Sequence, residues 1–93
     1  MPESIDDLAP NGVRKQDVAV LITLLAELEG ELMAGQLPDY LAARLKHRFV
    51  KVGLLDESGS SRDLRQAIND LNHRLRYSYG SYAEPIAQVP VPD

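Results

Sequence analysis

Apolar residues recur at helical spacing in three stretches of the chain, and short breaks rich in glycine, proline and serine separate the stretches. A period of three to four residues is typical of amphipathic helices, and no useful stretch alternates as a strand would. Short connections favour neighbouring helices that run in opposite directions. We therefore predict an all-α fold, a three-helix antiparallel bundle over approximately residues 13–34, 38–53 and 61–79, with a helix-turn-helix-like arrangement as the alternative.

The first stretch has the widest apolar face. A surface helix usually carries an apolar arc of roughly 100° or a little more, and this arc approaches half of the circumference. The helix is therefore predicted to lie at the centre of the domain or in an interface with a second copy of the chain. Its apolar arc includes Ile22, and the residues predicted for self-association are Val18, Val20, Leu21, Leu24, Leu25, Leu28 and Leu32.

The third stretch has a narrower apolar stripe, which predicts a helix that packs on one side only. Ser60 or Ser61 is a suitable N-cap, and Asp63 suits the positive end of the helix dipole. Gly80 is the expected end of this helix.

The two ends of the chain lack helical periodicity. Residues 1–12 contain two prolines, a glycine and three acids, which predicts an irregular acidic arm. Residues 81–93 are rich in proline and are predicted to form an extended, partly mobile tail. Residues 85–92 are also a candidate linear motif for a separate receptor. The helical domain is predicted to occupy residues 13–80.

The size of the chain limits its core. Ninety-three residues with no cysteine exclude a disulfide framework and thiolate zinc sites. A core of this size supports only a few kcal/mol of stability without a partner, a metal or a staple. The acidic start has no secretory signal pattern, and no apolar run approaches the ~20 residues of a membrane span. We therefore expect a cytoplasmic protein that does not enter a membrane.

The sequence contains no motif of catalytic or cofactor chemistry. The serines have no histidine nearby in sequence, and no glycine-rich phosphate loop is present. His47, Asp70 and His73 form a two-histidine, one-carboxylate metal site in principle, but two surface histidines are the simpler interpretation. We predict no catalytic residue, no cofactor and no metal, and hence no enzyme.

Cations are concentrated in the middle of the chain. Residues 40–55 contain four cations and no acid, although the formal net charge is −4. Such segregation creates a local positive field, and arginine and asparagine commonly contact phosphates and base edges. The simpler interpretation is that these basic faces are ordinary solvated surfaces, or that they contact the acids of the first helix. Those members of the face that belong to the third helix are predicted to line the side roughly opposite its core stripe. The residues of this possible anionic-partner face are Arg44, His47, Arg48, Lys51, Arg62, Arg65, Asn69, His73 and Arg76.

Three tyrosines lie close together in sequence at the end of the third helix, namely Tyr77, Tyr79 and Tyr82. Tyrosine is enriched where an apolar surface meets a wet rim, so this cluster is a possible contact for a partner or for the chain's own tail. Alternatively, the rings cover the end of the bundle.

These patterns favour a small non-enzymatic protein-protein interaction or adaptor module that forms a homodimer through its first helix. A nucleic-acid-binding regulator that uses the basic faces is the alternative, although the negative total charge does not favour it. A third hypothesis is an accessory subunit of a larger enzyme complex.

Overall fold

A computed structural model of the chain describes residues 12–80 and 88–92. This part contains three α-helices and no strand: α1 is Lys15–Met33, α2 is Asp39–Lys51 and α3 is Ser61–Tyr79. The all-α prediction is confirmed, and every predicted helix boundary lies within two residues of the observed one. The predicted arm lies outside the described residues except for Gly12, and residues 81–87 and 93 of the predicted tail lie outside them too.

Glycines in the left-handed conformation end the first two helices. Gly35 has φ 70° and Gly53 has φ 81°, values at which a side chain would be strained. Each is followed by a backbone N–H that reaches back to the helix, with Gln36 donating to the Glu31 carbonyl at 3.0 Å and Leu54 to the Phe49 carbonyl at 2.9 Å. This is the Schellman arrangement, which satisfies carbonyls that the helix leaves without an internal donor.

A reciprocal pair of hydrogen bonds begins α3. The Ser60 hydroxyl accepts from the Asp63 backbone N–H at 3.1 Å, and the Asp63 carboxylate accepts from the Ser60 backbone N–H at 2.9 Å. Gly80 ends the helix with φ 100°. The predictions for the start and the end of α3 are therefore confirmed, because this capping box and the terminal glycine are both local consequences of the sequence.

The core is built around α3. Its fully buried Ile68 lies with Leu64, Ala67 and Phe49 of α2 in the buried cluster. Partly buried leucines of α1, α2, α3 and the connection between α2 and α3 pack against this cluster, namely Leu25, Leu32, Leu45, Leu55 and Leu71. α3 contacts α1 extensively and α2 much less. Because side chains outside the apolar stripe, Gln66, Asn69 and Asn72, also bind the tail and α1, the prediction that α3 packs on one side only is wrong.

Polar side chains of α3 also contact α1. The Asn72 side-chain amide donates to the Ile22 carbonyl at 2.9 Å, and the Asn69 amide donates to the Glu29 carboxylate at 3.2 Å. At the end of α3, the Lys15 ammonium lies 4.7 Å from the centre of the Tyr79 ring. These contacts give α3 a wider packed surface than its apolar stripe alone provides.

Candidate interaction surfaces

α1 exposes part of its apolar arc. The helix has no buried residue, and exposure reaches 59% at Val20, 53% at Leu24 and 42% at Leu21. We call these three side chains the α1 strip. The placement of α1 at the centre of the domain is therefore wrong, because α3 occupies that position in the described chain.

The remaining residues predicted for self-association are half-buried. Leu25 and Leu32 pack against the core cluster, and Val18 and Leu28 are also partly covered. The structure thus divides the predicted arc into a flank that faces the core and the exposed α1 strip. At 100° per residue, Glu27 borders the strip on its outer side and Glu31 lies between the directions of Val20 and Leu24, and both are exposed.

α2 presents an exposed basic face, formed by Arg44, His47, Arg48 and Lys51. We call it the α2 basic face. The Arg44 guanidinium lies 5.7 Å from the centre of the Tyr40 ring, a cation–π distance. No carboxylate within the described chain forms a salt bridge with these cations. An open depression of about 510 Å³ is lined by Ala43, Arg44, Leu45, His47 and Arg48.

The α3 residues of the predicted anionic-partner face do not form an open surface with α2. Arg65 is buried, and the Asn69 amide is bound to Glu29. Arg76 donates to the Asn72 side chain at 2.7 Å, and Arg62 donates to the Val91 carbonyl at 3.1 Å. The placement of these residues opposite the core is therefore wrong, because α3 has neighbours on several sides and uses its polar residues to hold them. His73 is half-buried and also takes part in an interaction.

The tyrosine cluster is only partly described. Tyr77 and Tyr79 are exposed at the end of α3, and Lys15 contacts the Tyr79 ring. Tyr82 lies outside the described residues. The described part of the tail contacts the other half of α3, far along the helix from these rings.

Residues 88–92 lie along α3 and contact three of its polar side chains, Arg62, Gln66 and Asp70, which we call the tail-binding face. The Val91 side chain is only 5% exposed. The sequence signal for this contact was the pair of valines on either side of Pro90. A search for helical or strand spacing compares residues that are close in sequence, so it does not show that these valines contact α3. This surface was missed by the sequence analysis.

The titrating groups with a clear shift both lie near the start of α3. Hydrogen bonds from the Ser58 hydroxyl and backbone N–H lower the pKa of Asp56. Those from the Ser60 backbone N–H and hydroxyl lower the pKa of Asp63. Both shifts follow from ordinary turn and cap geometry, so they do not indicate a catalytic site.

A metal site is not formed by the described residues, among which no three histidine or carboxylate side chains come together. The Asp70 carboxylate of the hypothetical site accepts instead from the Gln66 and Gln88 amides, each at 2.9 Å. Within the described ranges, no helix combines the length and the apolar content needed to cross a bilayer.

The candidate functional surfaces are therefore the α1 strip, the α2 basic face and the tail-binding face of α3. Comparison of the chain with protein-family models, with curated proteins and with solved structures finds no match.

Proposed function

We propose that the protein is a non-enzymatic interaction module that forms a homodimer through the α1 strip. The observation that carries the proposal is the exposure of Val20, Leu21 and Leu24 on a helix without a single buried residue. Burying apolar surface stabilises an association by about 25 cal/mol per Å², and side chains of this size are the usual source of that energy. A neighbouring protein surface is therefore the natural cover for the strip.

A second copy fits the strip because the strip is self-complementary. If two α1 helices pair in opposite directions about Leu24, each Leu24 meets its equivalent and Val20 meets Leu28 of the second copy. Such a two-fold contact is the commonest symmetry of protein oligomers. In the same register Leu21 meets Glu27 of the second copy and Asp17 meets Glu31, so the apolar centre of the contact must outweigh like charges at its two ends.

An antiparallel three-helix bundle is part of this proposal. Contacts between α1 and α3 run in opposite chain order, because Lys15 meets Tyr79, Ile22 meets Asn72 and Glu29 meets Asn69. This order supports opposite helix directions for α1 and α3. It also leaves the α1 strip on the side of α1 that α3 does not cover.

Sedimentation equilibrium at micromolar concentration tests the dimer directly. The wild-type chain should sediment as a dimer, and Leu24→Glu should shift it to the monomer while the helical circular dichroism signal is kept. Ala26→Glu is the matched control, since Ala26 is exposed on the same helix but, at 100° per residue, points away from the strip. A monomeric wild-type chain contradicts the proposal, as does equal dissociation by both variants.

Leu25→Asp should have a different effect from Leu24→Glu. Leu25 packs against the core cluster, so an aspartate there places a charge in partly buried surface and should prevent both stable folding and association. Thermal unfolding followed by circular dichroism separates the two variants. A folded monomer for Leu25→Asp would show that the inner flank of α1 contributes little to the fold.

A second candidate function is binding of nucleic acid through the α2 basic face. The observation in its favour is that Arg44, His47, Arg48 and Lys51 are exposed together and form no salt bridge with the described carboxylates. A labelled duplex titrated at about 50 and 200 mM salt tests it, because phosphate contacts make affinity fall steeply with salt. Arg44→Ala with Arg48→Ala should reduce the affinity, and the exposed Arg74→Ala of α3 is the control. Absence of binding at the lower salt contradicts this candidate.

A further inference from the structure

The tail-binding face makes hydrogen bonds to the main chain of the tail. Gln66 donates from Nε2 to the Val89 carbonyl at 2.9 Å and accepts at Oε1 from the Val91 N–H at 3.0 Å. One side-chain amide therefore satisfies a carbonyl and an N–H on either side of Pro90. Proline itself has no N–H, so the residue between the two bonds leaves no donor without a partner.

One helical turn before and after Gln66, the side chains of Arg62 and Asp70 also bind the tail. Arg62 binds its main chain, whereas Asp70 binds a side chain. Arg62 donates to the Val91 carbonyl at 3.1 Å, and Asp70 accepts from the Gln88 side-chain amide at 2.9 Å. A step of four residues along an α-helix advances about 6 Å, and two residues of a polyproline-type chain advance about 6 Å as well. From Gln66 to Arg62, one helical turn therefore matches the two tail residues that separate the Val89 and Val91 carbonyls, with the tail running in the opposite direction.

Two side chains of the tail contact this face, the Gln88 amide through Asp70 and the Val91 side chain by burial. Val91 is buried, whereas Val89 is 43% exposed and contributes its carbonyl. Three of the four hydrogen bonds go to main-chain atoms that any sequence offers, so the buried position is what selects for a small apolar side chain. Pro90 favours the extended conformation before binding, which lowers the entropy lost on binding.

We propose that the tail-binding face is a binding site for extended peptides with a Val-Pro-Val core supplied by another chain, and that residues 88–92 are its displaceable intramolecular occupant. The site uses α3 and does not involve the α1 strip, so it does not depend on dimer formation. The tail is held by a few side chains and one buried valine, which makes exchange with an equivalent peptide feasible. Its covalent connection gives it a high effective concentration, so the intact chain should resist an external peptide.

Fluorescence anisotropy with a labelled peptide of residues 84–93 tests the proposal on the full-length chain. Val91→Asp should release the tail, because it would place a carboxylate in the buried position. The variant should bind the labelled wild-type peptide about tenfold or more tightly than the unmodified chain does, since the tethered competitor is removed. A labelled peptide that itself carries Val91→Asp should not bind.

Two controls make the result specific to this face. Val89→Asp alters an exposed valine whose contact is through its carbonyl, so the tail should stay bound and the external peptide should bind as weakly as to the unmodified chain. Adding Gln66→Ala to the Val91→Asp chain should weaken peptide binding about tenfold or more, because both main-chain bonds are lost. Absence of peptide binding to a folded Val91→Asp chain overturns the proposal, as does binding that survives Gln66→Ala.

A second measurement serves if Val91→Asp does not fold. A protease site placed within residues 81–87 of the full chain allows the connection to be cut after folding. The cut tail should remain associated and then exchange with the labelled peptide, and Gln66→Ala should speed its loss. A cut tail that leaves at once and is not replaced by excess peptide overturns the proposal. Sedimentation of the same samples reports on the dimer separately, so failure of one proposal is distinguishable from failure of the other.

Discussion

α1 and α3 are equally long, yet they have opposite roles in the fold. Each spans 19 residues, and α1 is the more apolar of the two in sequence. α3 nevertheless has five buried residues, including Arg65 and Asn72, while α1 has none. The comparison teaches that apolar content alone does not decide which helix lies at the centre of a small domain.

The difference arises from what the polar side chains of α3 contact. Gln66 binds the tail, Asn69 binds Glu29 and Asn72 binds the Ile22 carbonyl. A polar group is buried at little cost when it is hydrogen-bonded, so α3 accepts neighbours on several sides. The surplus apolar surface of α1 has no such neighbour among the described residues and stays exposed.

The largest predicted effect contrasts a buried residue of α3 with an exposed one of α1. Ile68→Ala should lower the free energy of unfolding by about 2–5 kcal/mol, since it removes a fully buried side chain and leaves a cavity. Leu24→Ala should have a much smaller effect on the monomer. Urea unfolding of Ile68→Ala, Leu24→Ala and the unmodified chain, compared at the same low protein concentration, measures the contrast. Equal losses would contradict the central role of α3.

The next prediction concerns a polar contact between the two helices. Asn72→Ala removes the donor to the Ile22 carbonyl and the acceptor for Arg76, so it should cost about 1–3 kcal/mol. Ser78→Ala is the control, because Ser78 is exposed near the end of the same helix. The two unfolding midpoints in urea should differ clearly. Similar midpoints would show that Asn72 is not part of what holds α1 in place.

The helix starts provide a smaller contrast. α3 begins with the Ser60 capping box, whereas α1 begins after Arg14 without a side-chain cap. Ser60→Ala should therefore cost about 1 kcal/mol, and Arg14→Ser should not reduce stability by a comparable amount. Thermal unfolding of both variants checks this. A loss for Arg14→Ser as large as that for Ser60→Ala would show that the Arg14 contact with Asp17 matters as much as the capping box.

The smallest predicted effect is a dependence on pH. The pKa values of Asp56 and Asp63 are lowered in the folded chain from their ordinary value of 3.8. Their contribution to stability is thus fully present above that value and is lost as the pH falls through the lower folded-state pKa. Urea unfolding between about pH 5 and pH 2.5 should show a shallower loss for Asp56→Asn with Asp63→Asn than for the unmodified chain. An unchanged slope would contradict the role of these hydrogen bonds.

Much of the secondary structure was predictable because its causes are local. Helical spacing, the Ser60 cap and the glycines after each helix depend only on near neighbours in sequence, and the observed helices agree with the predicted ones. The outward orientation of Arg65 and Asn69 was predicted incorrectly. A prediction from the apolar stripe of a helix assigns every polar residue to the solvent side. It therefore predicts neither the burial of Arg65 nor the bond between the Asn69 amide and Glu29 of α1.

The sequence by itself determined the number of helices, their limits and the excess of apolar surface on the first one, because these properties follow from residue type and spacing within one or two helical turns. Only the tertiary structure decided that α3 is central, that α1 keeps Val20 and Leu24 exposed, and that Gln66 binds the main chain around Pro90. The physical reason is that burial and hydrogen-bond pairing between residues far apart in sequence depend on which elements meet, and no local pattern contains that information.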